Sequence, residues 1–337
     1  MPRRRLPPAA ASPGAESVVK RWTGDHRGTT VRFRWRTAGW LAATVVATYV
    51  LLPQIGRLGR TGAALRDAQW PWLGAALAMS AATYAAAALA LMGACPCRLA
   101  FGRTVRVQLA TSFANLMLPY GLGATAVDER YLERSGLTPA TAVATVAVTV
   151  STGILLHILE LAGVGVLLGT TGRLFSAGLP GFRGVLIGAG AAIAITGLIV
   201  VVVRRRPDLF HEVGSALRST LELLRRPRRA AIVVGGQLGV NLAYVAALGC
   251  ALQAFGQNVS PLPLAAAYLA GSALGAAGPT PAGLGVVEAS LVAGLAVVGV
   301  PAAPAVAGVL AFRLVTFWLP AGIGFVYFRS LKRNDIL

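Results

Sequence analysis

Long apolar runs constrain this chain more than any other feature. They cover residues 38–56, 70–92, 139–169, 184–203, 230–254 and 305–327. Each is close to or beyond the roughly 20 residues that a helix needs to cross the hydrocarbon core of a bilayer. Lipid offers no partners to exposed backbone N–H and C=O groups, so such runs cross as helices, which bond internally. Charged residues make up 13% of the chain, about half the share found in a soluble domain. No run alternates as a barrel strand does. The expected fold is all-α: a polytopic helical integral membrane protein with about six full spans.

The chain carries 31 Lys and Arg and a formal net charge of +19. Nine of these cations precede the first run, five lie in 98–138, eight in 204–229 and three in 329–337. The segments 57–69 and 170–183 hold only three and two. Basic loops stay cytoplasmic, so the charge reports orientation, with both termini inside a cytoplasmic (plasma) membrane, and it suits anionic lipid headgroups. No nucleic-acid recognition motif accompanies it, which argues against that partner. The organisation expected is a disordered basic tail over 1–36, a transmembrane domain over 37–328 with an amphipathic cytoplasmic helix at 207–226, and a basic tail at 329–337. The three cysteines and three histidines form no metal-ligand set, and no cofactor is expected.

Parity then constrains two short apolar stretches. "TVRVQLATSFANLML" has only 15 residues, ends in "PYGLG" and is followed by the charged "ATAVDERYLER". A re-entrant segment dipping in from the cytoplasm satisfies length, breakers and parity together; an ordinary short crossing is the alternative. "PLPLAAAYLAGSALGAAG" and "LGVVEASLVAGLAVVGV" make either two short crossings or one hairpin entering from outside. The motif P-x-G-L-G begins at Pro119 and again at Pro281. The two copies enter from opposite faces, which is the pattern of an inverted repeat whose broken helices frame a site near the midplane. Breakers and carboxylates are tolerable where they line a polar cavity. The candidate binding residues of these stretches are Asn115, Pro119, Gly121, Gly123 and Glu129, or Asp128 as the carboxylate in its place, in the first, and Pro281, Gly283, Gly285 and Glu288 in the second.

Three more polar residues lie inside apolar runs. His157 and Glu160 stand at i and i+3 on one helical face, and Arg313 lies in the last run. Charge at such depth is costly and is usually functional or paired. A plain clasp of Arg313 with Glu160 or Glu288 is the structural alternative. Asn115, Gln108, Gln237 and Asn241 are expected to make interhelical hydrogen bonds.

The stretch "PTPAGLGVVEASLVAGLAVVGVPAAPAVAGVLAFRLVTFWLPAGIG" resembles the C-terminal signature of the transmembrane region of lysylphosphatidylglycerol synthases, a family with many stand-alone flippase-like members. The matching positions are Pro279, Pro281, Gly283, Gly285, Glu288, Arg313, Trp318 and Pro320, with Ala282 where the family has glycine. Asn115, Pro119, Gly121 and Gly123 resemble the N-terminal counterpart. His157 replaces the arginine that the family usually places three residues before an acid. The resemblance implies translocation of a phospholipid or polyprenyl-phosphate-linked lipid, without catalysis by this chain. It also makes a separately encoded lipid-modifying enzyme a candidate partner beside membrane lipids. An enzyme of lipid-linked chemistry, or a scaffold subunit of an envelope-synthesis system, would read similarly, although no aspartate-rich or nucleotide-binding motif is present.

Overall fold

The structure, a computed structural model, describes residues 68–117, 121–169, 225–276 and 283–333, and in addition Arg218, Glu222 and Ile336. The runs 38–56 and 184–203, the N-terminal tail, most of 207–226 and both motif prolines, Pro119 and Pro281, lie outside the described residues. Among the described residues every regular element is helical.

The helices are α1 (Trp70–Ala94), α2 (Phe101–Met117), α3 (Leu122–Arg134), α4 (Pro139–Leu167), α5 (Pro227–Gln253), α6 (Pro261–Ala276), α7 (Val286–Val297), α8 (Ala302–Arg313) and α9 (Leu319–Arg333), with a π turn at Leu314–Trp318 joining the last two. Proline stands in the first turn of α1, α4 and α5, where its missing N–H leaves no bond unmade. Thr138 caps α4 by accepting from the N–H of Thr141 at 3.3 Å. The spans α1, α4, α5 and the continuous Ala302–Arg333 are long and apolar enough to cross a membrane. They coincide with four of the six apolar runs. The chain is thus a multi-pass membrane protein, and α2, α3, α6 and α7 are shorter.

The central pair is α1 and α5, which run antiparallel. The Gln69 N–H donates to the Ala254 carbonyl at 2.9 Å at one end, and Arg229 Nη1 donates to the Cys95 carbonyl at 2.6 Å at the other. Between these ties the helices touch closely: a Cβ on Gly236 would stand 2.6 Å from the Ala90 nitrogen. In lipid, small residues allow such backbone approach, and dispersion replaces the missing hydrophobic drive.

The two ends differ in charge. The Arg229 end collects the cations of 98–106, 130–134, 225–229 and 329–333, because Leu91, Cys95, Tyr131, Leu132 and Leu331 share one buried cluster there. At the Gln69 end, the described segments 68–72, 167–169, 253–262 and 297–302 hold no charged residue.

The hairpin α2–α3 has its open end at the basic side, where the Thr104 hydroxyl meets the Tyr131 hydroxyl at 3.0 Å. The hairpin α6–α7 has its open end at the neutral side, where Leu264, Leu295 and Val300 pack with Leu252. The open ends of the two hairpins therefore lie at opposite ends of the bundle. The packing repeats this exchange. α1 packs on α2 and α4 as α5 packs on α6 and α8; α2 packs on α9 as α6 packs on α4; α3 packs on α4 as α7 packs on α8. Gly121 and Gly283, the matching glycines of the repeated motif, have φ of 73° and 67°, a left-handed backbone that side chains disfavour. The internal echo in the sequence is thus also an echo in packing.

A candidate site at the centre of the last span

The middle of Ala302–Arg333 is where the helix changes register. The Leu319 N–H bonds the Leu314 carbonyl, five residues back, which is the π pattern. The next bond in that register would run from residue 320 to the Val315 carbonyl, but Pro320 has no N–H to give. The Ser80 hydroxyl of α1 takes the place and donates to Val315 at 2.7 Å. π turns inside α-helices are rare and concentrate at functional positions.

Arg313 immediately precedes this turn. Its Nε donates to Glu288 Oε1 at 2.6 Å, and both residues are buried, at 9% and 8% exposure. Glu288 is the third residue of α7, so its other oxygen reaches back and accepts from the Gly285 N–H at 2.7 Å. That carboxylate thus caps its own helix and neutralises Arg313 at once, matching one of the two clasps the sequence allowed. The Arg313 guanidinium also sits 4.1 Å from the centroid of the Phe317 ring, where the ring face attracts a cation. Tyr244, Tyr268 and Phe312 pack beside the pair, with ring centroids 5.9–6.2 Å apart.

Glu160 takes a different partner. Asn241 Nδ2 of α5 donates to its Oε2 at 2.6 Å. His157, one turn earlier, sits with Nε2 3.1 Å from the Leu269 carbonyl of α6. The i, i+3 pair on α4 therefore faces two neighbouring helices rather than one shared group. Gln237 bridges to the Thr149 carbonyl at 2.9 Å, an interhelical bond of the kind expected.

The first hairpin reaches the same helix on the far side of the π turn. The Ser112 hydroxyl donates to the Pro320 carbonyl at 3.0 Å, and Gly324 leaves no room for a Cβ against the Leu109 carbonyl. Asn115 accepts from the Ala124 N–H at 2.8 Å. Ala124 is the third residue of α3, so Asn115 caps that helix from its neighbour and satisfies one of the donors that every helix start leaves open. The carboxylate that ties the hairpin's two helices together is Asp128, which accepts from Gln108 Nε2 at 2.8 Å. Glu129, the neighbour named from sequence, makes no hydrogen bond among the described residues. Gly121, Gly123, Gly283 and Gly285 all lie at helix starts, with Gly123 against the Ala114 carbonyl and Gly283 2.6 Å from Val287 Cγ2 for an added Cβ.

Sequence reasoning missed Ser80, Ser112 and the π turn; the interhelical bond expected of Gln108 is made, and the choice between Asp128 and Glu129 was left open. One signal was available. Val127 and Tyr131 mark the buried face of α3, and Asp128, three residues before Tyr131, lies nearer that face than Glu129 does. Among the described residues no three or more His, Cys, Asp and Glu cluster as metal ligands.

No curated protein matches the chain. A family model does, that of the lysylphosphatidylglycerol synthase TM region, over residues 37–324. This interval takes in α1 to α8, the π turn, both hairpins and the ion pair. With most of its length matched, the chain belongs to the lysylphosphatidylglycerol synthase TM-region family.

Proposed function

We propose that the chain moves a phospholipid or polyprenyl-phosphate-linked lipid headgroup across the plasma membrane, without converting it chemically. The family supports a membrane function related to lipids. One observation carries the finer reading. Two hairpins with open ends at opposite ends of the bundle approach the centre of one helix, which there holds a buried ion pair and a π turn. Interrupted helices and buried charge are expensive in lipid and persist where they line a path for polar cargo.

In this reading Arg313 exchanges Glu288 for the lipid phosphate, to which its planar fork can give two bonds. Glu288 stays tied to the Gly285 N–H meanwhile. Glu160, Asn241 and His157 meet hydroxyl or amine groups of the headgroup. The glycines at the hairpin tips, with Pro119 and Pro281 beside them, let backbone approach the cargo. The drive is a gradient, a partner or mass action, since the sequence carries no nucleotide-binding motif. In proteoliposomes loaded with fluorescent phospholipids or polyprenyl phosphates, at least one lipid should lose its protection from an impermeant quencher. If the folded protein leaves every probe as protected as in empty vesicles, the chain is a scaffold rather than a translocator.

The basic end faces the cytoplasm in this reading. In a background lacking the native cysteines, Asn258→Cys should react with an impermeant thiol reagent on intact cells and Arg134→Cys should not. The reverse labelling would invert the orientation.

A further inference from the structure

The described part of the chain gathers cations that the central site does not use. Eleven exposed Lys and Arg side chains lie in 98–106, 130–134, 225–228 and 329–333, all at the end where Arg229 bonds the Cys95 carbonyl. The carboxylates nearby are few: Asp128 is engaged by Gln108, and Glu133 pairs with Arg130 at 3.0 Å. Glu129 and Glu222 are the others described in or beside these stretches. The surplus is therefore strongly positive.

These cations do not form a plain solvated face. Exposed apolar side chains stand beside or one helical turn below several of them, toward the centre of the bundle. Arg228 is followed on the same face of α5 by Ile232, 37% exposed. Arg329 follows Phe325, 42% exposed, and lies over its ring with Cζ 5.6 Å from the centroid. Phe101, 46% exposed, lies between Arg98 and Arg103. A soluble polyanion has no use for the apolar half of this arrangement. A phospholipid fits both halves: acyl chains against the rings and aliphatic side chains, phosphate at the guanidinium level.

We infer that the basic end is a binding surface for anionic phospholipids of the leaflet in which it sits, separate from the central site. Helices α2, α5 and α9 each contribute an apolar side chain and a cation to it. The lipids recognised are those with net negative headgroups; zwitterionic headgroups offer a phosphate with its own cation already attached.

The test uses the full chain in nanodiscs that contain mixed phosphatidylcholine and phosphatidylglycerol. Spin-labelled phosphatidylglycerol should be enriched several-fold over spin-labelled phosphatidylcholine in the motionally restricted shell. Raising the salt to about 1 M, where the screening length is about 3 Å, should remove most of the enrichment. The combined variant Arg98→Gln, Arg103→Gln, Arg228→Gln, Arg329→Gln should lose it at low salt. Equal association of the two lipids, enrichment that survives high salt, or enrichment that survives in the variant would each overturn the inference. So would displacement of the labelled lipid by soluble tripolyphosphate at equal charge, which would make the surface a polyanion site. The salt series on the unmodified protein keeps the test decisive even if the variant folds poorly.

Discussion

Replacing Arg313 by alanine is expected to lower the unfolding free energy by about 3–5 kcal/mol, because it leaves the Glu288 carboxylate buried without its cation. The 2.6 Å bond and the low exposure of both partners put this pair at the costly end of the range. The double variant Arg313→Met, Glu288→Gln should recover most of the loss. It removes both charges together, and the glutamine oxygen can still accept from the Gly285 N–H. Chemical unfolding in nanodiscs measures both variants. A single variant as stable as the parent would reject the pair as a stabilising contact. The double variant also separates structure from function: folded protein that no longer moves lipid supports Arg313 as the phosphate contact, and full translocation by it removes Arg313 from the path.

A comparable effect is expected at Gly123, for a steric reason. Its missing side chain lets the start of α3 lie against the Ala114 carbonyl of α2, with no space for a Cβ. Backbone cannot step aside as the end of a flexible side chain can. Gly123→Val should therefore cost at least about 3 kcal/mol, the upper part of the usual overpacking range, and should open the first hairpin. A Cβ added at Gly74 in α1 would meet nothing within 4 Å, so Gly74→Ala should be neutral or stabilising by up to about 1 kcal/mol. Gly121 also faces open space but has φ of 73°, so alanine there should cost about 1–2 kcal/mol through backbone strain alone. Thermal unfolding of the three variants checks the order. Equal effects at Gly123 and Gly74 would mean that the hairpin is not closely packed.

The course of the chain was largely legible in the order of its residues. Apolar length set four described spans, since lipid demands about 20 bonded residues per crossing whatever the neighbours are. Prolines and glycines placed the breaks, while the charge pattern left the second short stretch open between a hairpin and two crossings. In the described helices the open ends of the two hairpins lie at opposite ends of the bundle: Thr104 meets Tyr131 at the basic end, while Leu264 and Leu295 share the cluster at the neutral end. Residue roles within the site were less legible. Asn115, named both as a headgroup contact and as an interhelical hydrogen-bonder, makes the interhelical bond by capping α3. Of Asp128 and Glu129, between which the sequence left the choice open, Asp128 is the one that Gln108 bonds, a difference of one position in helical phase.

By itself the sequence determined what single-chain properties control: which stretches are apolar enough to span, where the backbone must bend, and which end carries the charge. These depend on composition and spacing, and lipid punishes any other arrangement. Tertiary structure decided partners. Arg313 could have met Glu160 or Glu288, and only the packing of α7 on α8 brings Glu288 to it while Asn241 occupies Glu160. The stabilised π turn is of the same kind. Pro320 can be read from the chain as a missing donor, but that a hydroxyl 235 positions away completes the Val315 carbonyl follows from α1 lying alongside. Hydrogen bonds and ion pairs act over about 3 Å, so their partners are settled by which surfaces touch, and no local pattern of residues encodes that.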